Sequence, residues 1–127
     1  MRFGSFEIFK PKDKYSGSQG PSYGLKEQML PNMLDYLLEF FYKEINESTT
    51  DKEMKYKFMF EKIVKDTADL VALWQCYGFC HGVLNTDNMS IMGLTIDYGP
   101  FAWMEHHNPD FICNHSDNDR GRYRYKS

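Results

Sequence analysis

The sequence predicts an α+β fold, mostly helical, with one short β-hairpin. Three observations lead there. Two long stretches carry apolar residues at three- and four-residue steps, the signature of helices with one buried face. An apolar run broken at Gly93, from Met89 to Ile96, follows the second of them and reads as two short strands around a turn. Aromatic residues make up 17% of the 127 positions, a share that argues against disorder because their burial offsets chain entropy.

The elements come in this order. Residues Arg2 to Phe9 alternate aromatic and polar, the pattern of a strand. Lys10 to Gly24 is a loop, with Pro11, Pro21 and the Gly and Ser residues between Ser16 and Gly20 supplying turn chemistry. A first helix is expected from Pro31 to Ile45, because proline suits the first helical position and Leu34, Leu37, Leu38, Phe41 and Ile45 share a face. Lys43 then meets the negative end of the helix dipole. A second helix is expected from Asp51 to Tyr77, opened by a Thr50/Glu53 capping box and closed at Gly78. Its buried stripe reads Tyr56, Phe60, Ile63, Thr67, Leu70, Val71 and Trp74. The region divides as 1–24 strand and loop, 25–78 two helices, 79–101 polar loop and hairpin, and 102–127 a loop-rich tail. All four belong to a single domain, of which the chain reads as a fragment, because Asp117 to Ser127 brings no terminating element.

Composition narrows the function. A net charge of −3 disfavours a general nucleic-acid coat. No apolar run approaches the length of a membrane-spanning helix. Three cysteines do not make a disulfide framework, and a reduced compartment is the simpler setting. Zinc held by Cys76, Cys80, Cys113 and His115 competes with a blander reading, thiols buried as small apolar groups, which the loose C-x₃-C spacing favours. Met1 is not followed by a basic and then apolar leader, so no targeting peptide is expected within these residues.

The chemistry concentrates between His81 and Gly99. Phosphate chemistry with a divalent cation needs a few hard oxygen ligands, and a carboxylate off the metal to accept a proton from the attacking hydroxyl. The kinase-like fold supplies these from a loop after a long helix, H-R/G-D-x-x-x-x-N, then a hairpin, then D-F/W/Y-G. Here His81-Gly82 opens the loop, Asn88 takes the place of the metal-binding Asn, and Asp97-Tyr98-Gly99 takes the place of the last element. Val83 stands where a kinase keeps its Asp and cannot act as a base. The nearest carboxylate is Asp87, so the geometry between acceptor, metal and nucleotide differs from that of ordinary γ-phosphoryl transfer. The fold is therefore expected to be the mostly helical C-lobe-like part of a protein-kinase-like domain.

Two adjoining runs, His81-Gly82-Val83-Leu84-Asn85-Thr86-Asp87-Asn88-Met89-Ser90 and Ile91-Met92-Gly93-Leu94-Thr95-Ile96-Asp97-Tyr98-Gly99-Pro100-Phe101, closely resemble the selenoprotein O family. So do Arg2-Phe3-Gly4-Ser5-Phe6-Glu7, Cys113-Asn114-His115-Ser116-Asp117 and Gly121-Arg122-Tyr123. The resemblance covers nearly the whole chain. It implies a pseudokinase-fold protein adenylyltransferase that binds ATP in reversed orientation and moves AMP onto Ser, Thr or Tyr hydroxyls of proteins, with Mg²⁺ or Mn²⁺. It further implies Asp87 as proton acceptor, Asn88 and Asp97 as metal ligands, Asp97 also touching nucleotide, and Arg2 in the nucleotide pocket. The family's glycine-rich loop, strand lysine, partner glutamate and second arginine would lie upstream of Met1, and its redox-type Cys or selenocysteine beyond Ser127. These residues alone are then expected not to catalyse efficiently. An animal-type parent would be mitochondrial and any other cytoplasmic.

Each assignment has a rival. Asp87 alone reads as a turn residue, Asp97 as a strand end and Arg2 as a surface cation. His81 reads as a loop organiser rather than a base, and His106, His107 and His115 as surface residues. Tyr98 and Trp103 read as core. The basic tail of Arg120, Arg122, Arg124 and Lys126, interleaved with Tyr123 and Tyr125, reads as a solvated segment. At the level of function the rivals are a phosphotransferase of the same fold and a degenerate fragment that only binds nucleotide or a partner protein.

Overall fold

The computed structural model describes residues 1–127, which form two compact units. One is Ser5–Lys65; the other joins Met1–Gly4 to Asp66–Ser127. The chain is α+β, about half of it helical, with one small antiparallel sheet.

The Ser5–Lys65 unit is built on three helices, α1 (Lys26–Phe40), α2 (Lys43–Ser48) and the first half of α3 (Lys52–Tyr77). Leu37, Leu38, Tyr42 and Met59 are its most buried helical or interhelical side chains, with Phe9. The N-terminal segment is not a strand: Phe3–Phe9 is a 3₁₀-helix. The aromatics recur at positions 3, 6 and 9, which is the three-residue repeat of that helix and outweighs the polar alternation. The first helix also begins earlier than its proline suggested. A 3₁₀-turn at Tyr23–Leu25 runs straight into α1, leaving Pro31 inside the helix. The carbonyl that loses its donor belongs to exposed Glu27, where water can serve it. α1 stops at Phe40 because the amides of Phe41 and Tyr42 both bond to the Leu37 carbonyl (2.9 and 3.1 Å). Lys43 therefore opens α2 instead of closing α1, and Phe41 is 45% exposed while Tyr42 is buried.

The cap of α3 is Asp51, not a Thr50/Glu53 box. Its Oδ1 accepts from the amides of Glu53 (2.9 Å) and Met54 (3.3 Å), because a carboxylate one residue nearer serves the orphan donors directly. The expected stripe holds at Tyr56, Ile63, Thr67, Leu70, Val71 and Trp74, all half-buried, but at one position Met59 replaces Phe60: Met59 is 3% exposed and Phe60 67%. Across helices, Asp35 accepts from the Tyr56 hydroxyl (2.6 Å) and Lys52 Nζ (2.8 Å), and Lys55 Nζ donates to Asn46 (2.9 Å). Burial of the Asp35 carboxyl would raise its pKa, but the bonds from Lys52 and Tyr56 outweigh it and hold the pKa below the ordinary value.

In the other unit α3 ends at Gly78, whose φ of +69° gives the left-handed cap expected there. β1 (Phe79–Cys80) pairs antiparallel with β2 (Ala102–Trp103), Phe79 opposite Trp103. Phe79 is 5% exposed and packs against Trp74, Phe101 and Trp103, with ring centroids 5.1–5.8 Å away. Trp103 and Tyr98 flank it and stay 60% and 58% exposed, so they are not core. The expected hairpin over Met89–Ile96 is reduced to one antiparallel bridge, Met89 to Thr95, closed by a turn through Gly93.

The tail keeps Arg120, Arg122 and Lys126 exposed, as expected of a solvated segment, but is anchored through other residues. Tyr125 is buried and its hydroxyl donates to the Gln75 carbonyl (2.6 Å); Asp117 is buried and accepts from the Tyr123 amide (2.8 Å). Arg124 and Lys126 both pair with Asp110, which holds that carboxyl below its ordinary pKa, the Lys126 bond contributing most. Of the thiols, Cys80 is buried and Cys113 half-buried, but Cys76 is exposed. No group of three or more His, Cys, Asp or Glu side chains is arranged to hold a metal ion.

Candidate functional site

The site grows out of the short polar segment after β1. Gly82 follows His81 with φ +82°, a conformation L side chains rarely adopt. A Cβ there would lie 2.6 Å from Cys113 Sγ and 3.1 Å from Pro100 Cγ. Conformation and space both demand glycine. Asn114 Nδ2 donates to the Gly82 carbonyl (3.2 Å) and holds the turn from outside.

His81 organises the loop after it. It is 4% exposed. The Val83 amide, which can only donate, bonds to His81 Nδ1 (3.3 Å), so the ring proton sits on Nε2 and is given to the Ile96 carbonyl (2.8 Å). Trp74 and Phe79 pack against the imidazole at 5.8 and 6.5 Å between centroids. This is the organising role expected of His81, and the ring also reaches the residue before Asp97.

The chain of hydrogen bonds continues on the other side. The Val83 carbonyl accepts from Asn88 Nδ2 at 2.8 Å. A carbonyl accepts only from the amide nitrogen, so the side chain cannot be turned over, and Asn88 is left with its oxygen as acceptor and one further N–H. Asn88 is buried at 5% exposure. From Ile96 through His81 and Val83 to Asn88, three hydrogen bonds connect the neighbour of one expected ligand with the side chain of the other.

Asp97 itself is exposed and has φ +60°, the single non-glycine residue with positive φ. Its carbonyl accepts from the Gly99 amide (2.8 Å) in a tight turn. Strained backbone at an exposed acid is a feature of functional turns. On the next residue, the Tyr98 ring stands edge-on to Phe101 and Phe79 at 5.6 and 6.4 Å.

Asp87 lies in a 3₁₀-turn, Thr86–Asn88, capped by Asn85, whose side chain accepts from the Asp87 amide (3.0 Å). Asp87 is exposed. Arg2 is brought beside this turn by the backbone. It forms an antiparallel bridge with Ser90, flanked by bonds from Phe3 N–H to the Met89 carbonyl (2.9 Å) and from Ile91 N–H to the Met1 carbonyl (3.1 Å). The unit thus carries Arg2, Asp87, Asn88 and Asp97 on adjoining segments. His106, His107 and His115 are exposed, as expected.

Two contributors carry little signal in the sequence. Asn85 reads as loop, and only its place two residues before Asp87 hints at a cap. Gly4 sits where a Cβ would collide with the Asp87 carboxylate, an approach between distant residues with no local signature.

The donor set suits a hard cation. An amide oxygen with its nitrogen already engaged and an exposed carboxylate are ligands of the Mg²⁺ type, and neither is a soft ligand that would select zinc.

Known proteins resemble the chain along its whole length. Residues 1–127 match the family model of the protein adenylyltransferase SelO. The chain is 56% identical over 127 residues to the mitochondrial protein adenylyltransferase SelO-1 of Danio rerio, covering 100% of this chain and 18% of the relative. It is 52% identical over 126 residues to the mitochondrial protein adenylyltransferase SelO of Homo sapiens, covering 98% and 18%. It is 46% identical over 125 residues to the protein nucleotidyltransferase YdiU of Pseudomonas putida, covering 98% and 22%. The chain spans about a fifth of the length of these curated relatives. A match along every residue, with the loop, turn and acid elements all inside it, means that the chain belongs to the SelO family of protein adenylyltransferases.

Proposed function

We propose that this chain carries the metal- and acceptor-handling part of an enzyme that transfers AMP from ATP to hydroxyl side chains of proteins. The observation that carries the reading is the hydrogen-bonded chain from Ile96 through His81 and Val83 to Asn88. It couples the loop of Asp87 and Asn88 to the turn of Asp97, as a shared cation site requires. The surrounding scaffold is proposed to be the C-lobe-like part of a kinase-like domain.

Asn88 Oδ1 and the Asp97 carboxylate would hold Mg²⁺ or Mn²⁺. Such an ion neutralises phosphate charge and orients the nucleotide. Asp87, on the same turn as Asn88 but free of its packing, accepts the proton of the incoming hydroxyl. The hydroxyl oxygen then bonds to the α-phosphorus, the bond to pyrophosphate breaks, and the proton stays on Asp87. Arg2 offers paired N–H donors to phosphate oxygens and stabilises charge that builds up on them. Asp87 stands four positions after Val83, the place a kinase gives its base, which fits attack at a different phosphorus. A parent enzyme of animal type would work in mitochondria, as the names of the Danio rerio and Homo sapiens relatives have it.

The test uses the longer parent enzyme that carries these residues, with a protein acceptor and ATP labelled at either the α- or the γ-phosphate. Label on protein from α-labelled ATP, lost in Asp87→Ala, is the expected result. Label from γ-labelled ATP would identify a phosphotransferase and overturn the reading. Asp97→Ala is expected to abolish Mg-nucleotide binding, and unchanged binding would remove the metal assignment.

A further inference from the structure

We infer that Gly4 is a positioning residue for Asp87, kept without a side chain so that the Asp87 carboxylate can hold its working orientation; this rests on Asp87 being the proton acceptor. A Cβ built on Gly4 would overlap Asp87 Oδ1, lie 3.2 Å from its Cγ and 3.4 Å from its amide nitrogen. The glycine is not there for its backbone. Five glycines have positive φ, and Gly4 is not among them. An alanine would fit the backbone and fail only against the carboxylate.

Neither main chain can retreat to make room. On the Gly4 side, the Arg2–Ser90 bridge and the bonds Phe3 N–H to Met89 and Ile91 N–H to Met1 fix the entering segment. On the Asp87 side, the Asn85 cap holds the amide, and the Asn88 side chain next along is tied to Val83. The part left to move is the Asp87 side chain, which would rotate away from Gly4. The ligands Asn88 and Asp97 are held by other bonds, through Val83 and through His81 to Ile96, and do not share in that rotation. The same bridge that brings Arg2 to the site therefore sets the Asp87 carboxylate against Gly4. Proton acceptor and phosphate-binding arginine are registered on one short segment.

The test compares the parent enzyme that carries these residues with its Gly4→Ala, Asp87→Ala and double variants, measuring kcat for AMP transfer from α-labelled ATP, Kd for Mg-nucleotide and unfolding temperature. Gly4→Ala is expected to lower kcat about 10- to 100-fold, the cost of misplacing a reacting group by about 1 Å, with Kd within about twofold. In the Asp87→Ala background it should lower kcat no further, because both changes act through one carboxylate. A Gly4→Ala variant with normal kcat beside an impaired Asp87→Ala would refute the positioning role and leave the proton acceptor standing. A fully active Asp87→Ala would remove the acceptor assignment and this inference with it. Should Gly4→Ala fold poorly, the double variant decides: recovered folding identifies the carboxylate as the colliding group, and continued misfolding overturns the inference.

Discussion

Removing the imidazole of His81 should cost more function than its distance from any reacting atom suggests. The perturbation is His81→Ala. Its size can be worked from three contacts. The Ile96 carbonyl loses a 2.8 Å bond inside the unit, worth about 1–3 kcal/mol when the partner is left unpaired. The Val83 amide loses a 3.3 Å bond, a longer contact at the lower end, about 0.5 kcal/mol. The space beside the Trp74 and Phe79 rings empties, adding about 1 kcal/mol for a partly collapsible cavity. The sum is about 2.5–4.5 kcal/mol, a large share of the ~5–15 kcal/mol that holds an ordinary domain together. Two further variants separate the bonds: His81→Gln keeps a donor near Nε2, and His81→Asn keeps an acceptor near Nδ1. Because the Ile96 bond is the shorter, the order of retained stability should be His, Gln, Asn, Ala. Hydrogen exchange over residues 83–97 of the full chain reads local opening, and Mg-nucleotide titration reads the consequence for Asn88 and Asp97. The expected result is faster exchange on both sides of the relay and weaker binding by about tenfold or more. Unchanged exchange in His81→Ala would refute the structural role. Faster exchange with unaltered Mg-nucleotide affinity would refute the claim that the relay holds the ligands in place.

Three other outcomes are expected of the same structure. Gly82→Ala must carry a Cβ at φ +82° within 2.6 Å of Cys113 Sγ, and should destabilise by about 2–3 kcal/mol in urea unfolding. Asp51→Ala should cost about 1 kcal/mol of stability through the lost cap, while Thr50→Ala stays within about 0.5 kcal/mol; equal effects would restore the capping box. Burial raises the Cys113 thiol from 9.0 to about 12, with neighbouring Cys80 adding to the shift. A folded pKa above the unfolded value means stability that is intact below pH 9 and drains away as pH rises toward 12. Alkaline unfolding should therefore sharpen in that window and be blunted in Cys113→Ala, and at lower pH maleimide should label exposed Cys76 well before Cys113.

Whatever depends on local chemistry was legible in the sequence. Gly78 as a helix end, the long helix before it, and the loop and acid elements from His81 to Gly99 are written in adjacent residues, and the family match runs through them. The failures share a cause. Phe3–Phe9 satisfies both a two- and a three-residue repeat, and only its surroundings decide between them. Pro31 marks a helix start by propensity, yet a helix can begin earlier when water serves the one orphaned carbonyl. Phe60 and Met59 are one position apart, and a stripe drawn from residue type prefers the aromatic to the flexible methionine that is buried. Tyr98 and Trp103 are large and apolar, but each covers one side of Phe79 and leaves its other face open. Contacts across long sequence separation, such as Gly4 with Asp87 or Gly82 with Cys113, leave no periodicity to find.

The arrangement of strain suggests why the relay runs through a histidine at all. Asp97 holds a left-handed backbone at φ +60°, a conformation costing on the order of 1 kcal/mol for a residue with a Cβ. Such a residue tends to relax unless the chain on either side is held. Tyr98 after it packs edge-on to Phe79 and Phe101, and Ile96 before it is held by His81. A neutral imidazole is suited to the second task because one ring nitrogen donates while the other accepts, so a single buried side chain can join two backbone segments. A serine or asparagine could make either bond, but with a shorter reach between its polar ends. Asp97→Gly should accordingly leave stability unchanged or slightly higher while abolishing Mg-nucleotide binding. That separation would mark the turn as strained for its carboxylate's sake. A loss of stability comparable to the loss of binding would mean instead that the Asp97 side chain is itself part of what holds the turn.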